Sequence, residues 1–312
     1  MSNLIQVNTN SLEAREINSS LMQDFIAYLD VSDKTIKTYT KALRQLNKYL
    51  ATNNIKNPTR ADILAFKQHL IDKGLKPATV QNYIISARQF FKWTELQGIY
   101  PNIAKNIKGA KIDKGHKKDY LTSNQVKHLL GNIDTSDLKG IRDYAIIALM
   151  VTAGLRTIEV SRANVEDLRP LGNGTVLYIQ GKGKADKTDY VKVSEPVERI
   201  LRAYLATREL EDNKEPLFVS TSNNSLNKRL TTRSISGIVK DSLINAGYDS
   251  DRITAHSLRH TAVTLSLLAG EEITAVQQFA RHASINTTMI YNHALDKAKN
   301  SCSESISNSI FN

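Results

Sequence analysis

One cysteine in 312 residues, Cys302 in a Ser-rich tail, leaves no intrachain disulfide and no thiolate metal cluster, which suits a reducing compartment. Long apolar runs are missing too. The longest near-uninterrupted one, AIIALMVTAGL from Ala145, falls far short of the roughly 20 residues that a bilayer-spanning helix requires. Residues 1 to 17 are polar and carry acids, unlike a secretory signal, so the chain is expected in the cytoplasm. Acids are scarce in one region only. From position 31 to 118, 18 Lys and Arg stand against Asp33, Asp62, Asp72, Glu95 and Asp113, a net of +13, while residues 119 to 312 balance at 23 against 22. A basic half beside a balanced half points to a polyanion gripped by the first. Nucleic acid fits better than a membrane, because the basic half has no separate, strongly apolar amphipathic segment. A solvated basic surface is the plainer alternative.

What is present describes an ordinary globular chain: 41% hydrophobic and 23% charged residues, over a length sufficient for two domains. The basic half reads as four helices. A weak pattern around Leu21, Phe25 and Leu29 supplies the first. Ile36, Tyr39, Leu43, Leu46 and Leu50 form the apolar stripe of the second, with Ser32 as its cap. Thr59 and Asp62 suggest a capping box for a third helix carrying Ile63, Phe66 and Leu70, which Gly74 stops. Pro77 opens a fourth, with Val80, Tyr83, Ile84, Ala87, Phe90 and Phe91 inside. Function then belongs on the opposite faces, where Lys34, Lys37, Lys41, Arg44, Lys48, Lys76, Arg88 and Lys92 are the candidate DNA contacts.

The lysine-rich stretch AKNIKGAKIDKGHKKD reads as a linker. The expected organisation is a helical domain over 18–106, a basic linker over 107–118, a second domain over 119–300 and a tail over 301–312. Beyond Leu121, helical patterns span about 122–131, 138–153, 195–208, 232–246, 257–269, 272–281 and 286–292. TVLYIQ and TDYVKV alternate like two strands joined by GKGKADK.

Four stretches carry candidate chemistry. TAGLRTIEV places Arg156 after Gly154 and three residues before Glu159. GKGKADK sets Lys182 between two glycines, without the flanking Gly and Ser or Thr of a phosphate-binding P-loop. TAHSLRHTAVT puts His256 and His260 four apart, as two zinc ligands on one helix face would be, but Ser257 stands where such a motif needs Glu. Arg259 beside them would repel a metal. Thr254 and Ser257 are both plausible N-caps, so an anion at a helix start fits the stretch, as does an ordinary helix with two surface histidines. The fourth, ARHASINTTMIYNH, holds His282 and, nine residues on, Tyr291.

In this order, Arg, hairpin Lys, His-x-x-Arg, His and Tyr, the chain over about residues 18 to 296 resembles the tyrosine recombinase, or phage-type integrase, family, most of all its short Xer-type members. The resemblance implies a mostly α fold with a small β-sheet: an N-terminal four-helix core-binding (SAM-like) domain and an α+β catalytic domain. It implies that Arg156 and Arg259 are paired phosphate-binding arginines, Lys182 the hairpin lysine, His256 and His282 the active-site histidines, Tyr291 the nucleophile and Glu159 a supporting acid. His260 is left a structural role. The family pattern has Leu-Gly before the last histidine, where this chain has Ala280 and Arg281; Arg281 is a candidate for an added phosphate contact.

Such a set has a physical logic. Attack on a phosphodiester gathers charge on its non-bridging oxygens, which guanidinium forks match, and losing one such contact typically costs about 3 kcal/mol. A phenol of pKa about 10 needs a proton acceptor and cationic surroundings. His256 is the candidate acceptor, His282 a donor to phosphate oxygen, and Lys182 the donor to the departing sugar hydroxyl. No carboxylate cluster calls for a metal and no nucleotide loop for ATP, so no cofactor is expected.

The expected activity is site-specific DNA recombination by a tetramer on two sites, the two domains closing around one duplex in a bacterial cytoplasm at the nucleoid. Accessory directionality proteins are possible partners. The short segment ahead of the first helix leaves no room for an extra arm-binding domain, which favours Xer, resolvase, integron or small mobile-element enzymes. A type IB topoisomerase and a DNA-binding protein without catalysis are the rivals. In the tail, Ile306, Ile310 and Phe311 are spaced to let a short helix dock on a neighbouring protomer, or to do nothing in a frayed end.

Overall fold

Each apolar stripe of the basic half becomes the inner face of a helix. The computed structural model describes residues 17–111, 119–181, 183–184, 186–298 and 301–311, and the side chains of all of these except 293–298 and 303–304. They divide into two compact units, one within Met1–Lys114 and one within Gly115–Asn312. In the first unit, α1 (Ser19–Tyr28) is capped by Asn18, whose Oδ1 accepts from the Leu21 amide at 3.0 Å. Next come α2 (Asp33–Thr52), α3 (Arg60–Asp72) and α4 (Pro77–Leu96). The Thr59 amide donates to Asp62 Oδ2 at 2.7 Å, the reciprocal half of the expected capping box. Gly74 ends α3 at φ +70°, a conformation cheap only for glycine.

The core of this unit joins Phe25, Leu43, Leu46, Leu50, Ile63, Phe66, Phe90 and Phe91, with Phe25 and Phe90 edge to face at 5.6 Å. It runs further than the helices. Tyr100 and Ile107 are buried in it, and the Tyr100 hydroxyl donates to the Pro58 carbonyl at 2.8 Å. The expected linker therefore gives its first residue, Ile107, to this core; its stretch from 112 to 118 lies outside the described residues.

In the second unit, α5 (Ser123–Gly131) leads to α6 (Leu138–Ala153), which is buried on nearly every side and forms its central rod. A helix apolar all round has to be wrapped by others. Around it pack α8 (Glu195–Ala206), α9 (Thr232–Asn245) and α10 (Ala255–Leu268). The antiparallel sheet β1-β2-β3 comprises Leu168–Leu171, Gly174–Ile179 and Asp189–Val193, with Tyr178 paired to Tyr190. Two elements go beyond the sequence reading: α7 (Thr157–Arg162) and β1. Six residues are too few for a helical period to declare itself, and Pro170 argues against a strand except at an edge, which is where β1 lies.

α11 (Ile273–Ala280) and α12 (Ile285–Ala298) complete the unit, packing on α10 around Val263, Val276, Ala280 and Tyr291. The tail forms α13 (Cys302–Phe311), with Ile306, Ile310 and Phe311 exposed. Among the described residues no helix is long and apolar enough to cross a membrane.

Candidate active site

The end of α6 organises the candidate site. Gly154 takes φ +58°, which favours glycine, and a Cβ there would sit 3.1 Å from the Phe279 ring, which would have to give by a few tenths of an ångström. The turn aims its carbonyl at two guanidiniums: Arg259 Nη1 donates to Gly154 O at 2.6 Å and Arg281 Nη2 at 3.1 Å. Arg259, only 2% exposed, also donates to the Ala280 carbonyl.

Two residues on, Arg156 caps α7. Its amide donates to Glu159 Oε2 and its Nη1 to Glu159 Oε1, both at 2.8 Å. Glu159 is fully buried, and burial by itself would push its carboxyl up; Arg281 and the Arg156 contacts overcome that and hold it below the usual glutamate value. Arg281 reaches the same carboxylate, Nη2 to Oε2 at 2.9 Å. The acid is therefore shared by two arginines. Burial, with Arg156 and Arg281 nearby, pulls Arg259 down to about 9, which leaves it cationic at neutral pH.

Thr254 is the N-cap of α10, its amide donating to Ser257 Oγ at 3.0 Å, so His256 does lie in the first turn of a helix. His256 and His260 meet edge to face at 4.5 Å. Tyr291, 5% exposed, has His260 on one side, whose Nδ1 hydrogen-bonds its hydroxyl. The His282 ring lies nearly parallel to the Tyr291 ring, centroids 6.2 Å apart. Burial pushes the Tyr291 phenol up to about 12, against the pull of Arg259 and Arg156. Burial, then Arg259, Arg156 and Arg281, pushes His282 down to about 4, so its ring is neutral at neutral pH; its Nδ1 lies 2.9 Å from Thr288 Oγ1.

Arg156, Glu159 and Arg259 thus form one network through Gly154 and Arg281, and His256, Tyr291 and His282 a second through His260. Arg259 and Arg156 lie near enough to Tyr291 and His282 to act on both electrostatically. Lys182 lies outside the described residues. The base of its turn is rooted beside α7, where Arg162 Nη1 donates to the Gly181 carbonyl at 3.2 Å. Two members were not assigned from sequence. His260, given a structural role, is the histidine on the tyrosine hydroxyl; the clue was its position four residues after His256, on the same helix face. Arg281, considered for phosphate, directs Nη1 to the Phe279 carbonyl at 2.8 Å and Nη2 to Glu159 and Gly154.

In the first unit, Lys34, Lys37, Lys41, Arg44 and Lys48 are all exposed and recur at spacings of three and four, opposite the buried Leu43, Leu46 and Leu50 of α2. Lys76, Arg88 and Lys92 are exposed as well. None of the eight forms an ion pair among the described residues.

The model of the phage integrase family matches residues 119–298, and that of the phage integrase N-terminal SAM-like domain matches residues 22–98. The chain belongs to the phage integrase family. Within that family, the tyrosine recombinase XerD of Listeria monocytogenes serovar 1/2a is 31% identical over 291 residues, covering 88% of this chain and 94% of its own. Among solved structures, the XerH site-specific recombinase bound to palindromic difH substrate, a post-cleavage complex, matches with TM-score 0.71 at 24% identity over 86% of this chain and 80% of that one. A lambda integrase tetramer bound to a Holliday junction matches with TM-score 0.69 at 16% identity over 87% and 75%. These likenesses bear out the expected fold: mostly helical, with a SAM-like N-terminal domain and a small sheet in the second.

Proposed function

We propose that this tyrosine recombinase cuts and rejoins DNA at specific sites through a covalent bond between Tyr291 and a 3′-phosphate. The observation that carries the reading is a tyrosine hydroxyl bonded to His260, with the His282 ring stacked near the same tyrosine and the Arg156 and Arg259 guanidiniums acting on it. In the cleavage step Tyr291 Oη attacks the scissile phosphorus, the bond to the 5′ oxygen breaks, and the phenol proton passes to a histidine. His260 holds the hydroxyl directly and His256 stands behind it, so the pair serves as acceptor. Arg156 and Arg259 receive the charge on the non-bridging oxygens. His282 donates to one of those oxygens, and Lys182 protonates the departing 5′ oxygen. Rejoining runs backwards, with a 5′-hydroxyl of the partner strand as nucleophile. The phosphotyrosine stores the bond energy, and no cofactor takes part.

Tyr291 is buried and its pKa raised, while Arg259 is occupied by two carbonyls. DNA binding has to release both groups, which ties cleavage to the bound state. The exposed lysines and arginines of α2 and α4 supply the phosphate contacts of the SAM-like domain. Two such sites exchanged by four protomers account for strand transfer, and the lambda integrase tetramer on a junction supports that assembly. The place of action is the bacterial cytoplasm, at the nucleoid.

A pool of nicked duplexes with randomised cores, incubated with the protein and recovered under denaturing conditions, tests the reading. Covalently captured sequences that also support exchange between two duplex copies are the expected result. Cleavage and resealing without exchange would mark a topoisomerase-like activity. Tight binding without any adduct would leave a DNA-binding protein and overturn the proposal.

A further inference from the structure

Arg281 stands where the family pattern has glycine, and it keeps the backbone that glycine would take, φ +54° and ψ +46° at the end of α11. Two penalties follow. A side chain in the left-handed region is strained, and Arg281 Nε is buried without an acceptor. The contacts of the guanidinium offset them. Nη2 bonds the buried Glu159 carboxylate at 2.9 Å and the Gly154 carbonyl at 3.1 Å, and Nη1 the Phe279 carbonyl at 2.8 Å. The first two acceptors also hold Arg156 and Arg259 respectively. A carboxylate with one oxygen pinned from each side cannot swing, and an arginine bonded to it keeps its direction.

We propose that Arg281 is a positioning residue, which fixes Glu159 and the Gly154 carbonyl and through them aims Arg156 and Arg259 at the scissile phosphate. The inference rests on the reading of those two arginines as phosphate ligands. Electrostatics point the same way. With Arg281 sharing Glu159, the acid no longer spends its whole charge on Arg156, and three guanidiniums face one carboxylate.

The test uses the full chain and the nicked duplex recovered by covalent capture, with cleavage rate and DNA affinity measured separately. Arg281→Met is expected to slow single-turnover adduct formation roughly 10- to 100-fold, with the dissociation constant for the same duplex unchanged within about twofold. Arg281→Gly, which restores the relaxed backbone and cannot be dismissed as misfolded, is expected to be as slow. Arg281→Lys keeps a cation near Glu159 and recovers part of the rate. Added to Glu159→Gln, Arg281→Met is expected to cost less than the product of the two separate losses, because the two share the contact to Glu159 while the contact to Gly154 remains to be lost. A wild-type rate in Arg281→Gly, a loss of affinity matching the loss of rate, or full additivity with Glu159→Gln would each overturn the proposal. Failure of the unsubstituted protein to form any adduct would overturn the proposed function and this inference with it, and is told apart by appearing before any substitution is made.

Discussion

The two units carry the same kind of cation in opposite settings. On α2, Lys34, Lys37, Lys41, Arg44 and Lys48 stand in solvent with no ion-pair partner among the described residues, whereas Arg259 is buried, Arg281 is largely covered, and both are held by carbonyls, Arg281 also by a carboxylate. An exposed row of like charge stays mobile and screened, so it can hold a polyanion in many registers. A buried guanidinium with fixed partners has one direction, which chemistry at a single phosphorus demands. The lesson is that net charge marks the unit whose cations stand exposed, while the second unit hides its arginines in a balanced sequence.

Substitutions sharpen that contrast. The largest effect is expected from Arg259→Ala: single-turnover cleavage falls a hundredfold or more, about 3 kcal/mol, with little change in overall DNA affinity. Next, replacing the five α2 cations by Gln is expected to lower the slope of log affinity against log salt by about four, while cleavage at saturating DNA stays near wild type. Equal loss of rate in that variant would erase the division of labour. Gly154→Ala comes third. Its left-handed backbone costs about 1–2 kcal/mol, and the new Cβ presses on Phe279, so the unfolding temperature drops and cleavage slows with it.

The smallest effect is one of pH. His282 is held near 4 in the fold against 6.5 for a free histidine, so the unfolded chain takes up a proton that the folded one refuses. Stability is then fully present above 6.5 and declines as pH falls from 6.5 toward 4. His282→Asn should flatten that part of the stability profile; an unchanged profile would mean the ring is not so held.

Much of this arrangement was legible from residues alone. The stripes of α2 and α4 and the helical span of α6 are properties of period and composition, which sequence carries directly. α7 and β1 were not, because a six-residue helix and an exposed edge strand containing Pro170 have no period to read. In the candidate site, Arg156, His256, Arg259, His282 and Tyr291 were named by the family resemblance that their order carries. Which histidine meets the tyrosine did not. His256 and His260 share a helix face, and only the packing of α12 on α10 brings Tyr291 to the second of them. The turn of Arg281 toward Glu159 was hidden for a similar reason, since it depends on a left-handed residue where sequence gives no glycine.

The central claim is that the buried phenol beside His260 is the group that attacks DNA. Peptide mapping of the covalent protein-DNA adduct formed on captured nicked duplex tests it most directly. The account predicts the DNA attached to Tyr291, with no adduct from Tyr291→Phe at unchanged affinity. An adduct on another residue, or one that survives that substitution, would contradict it.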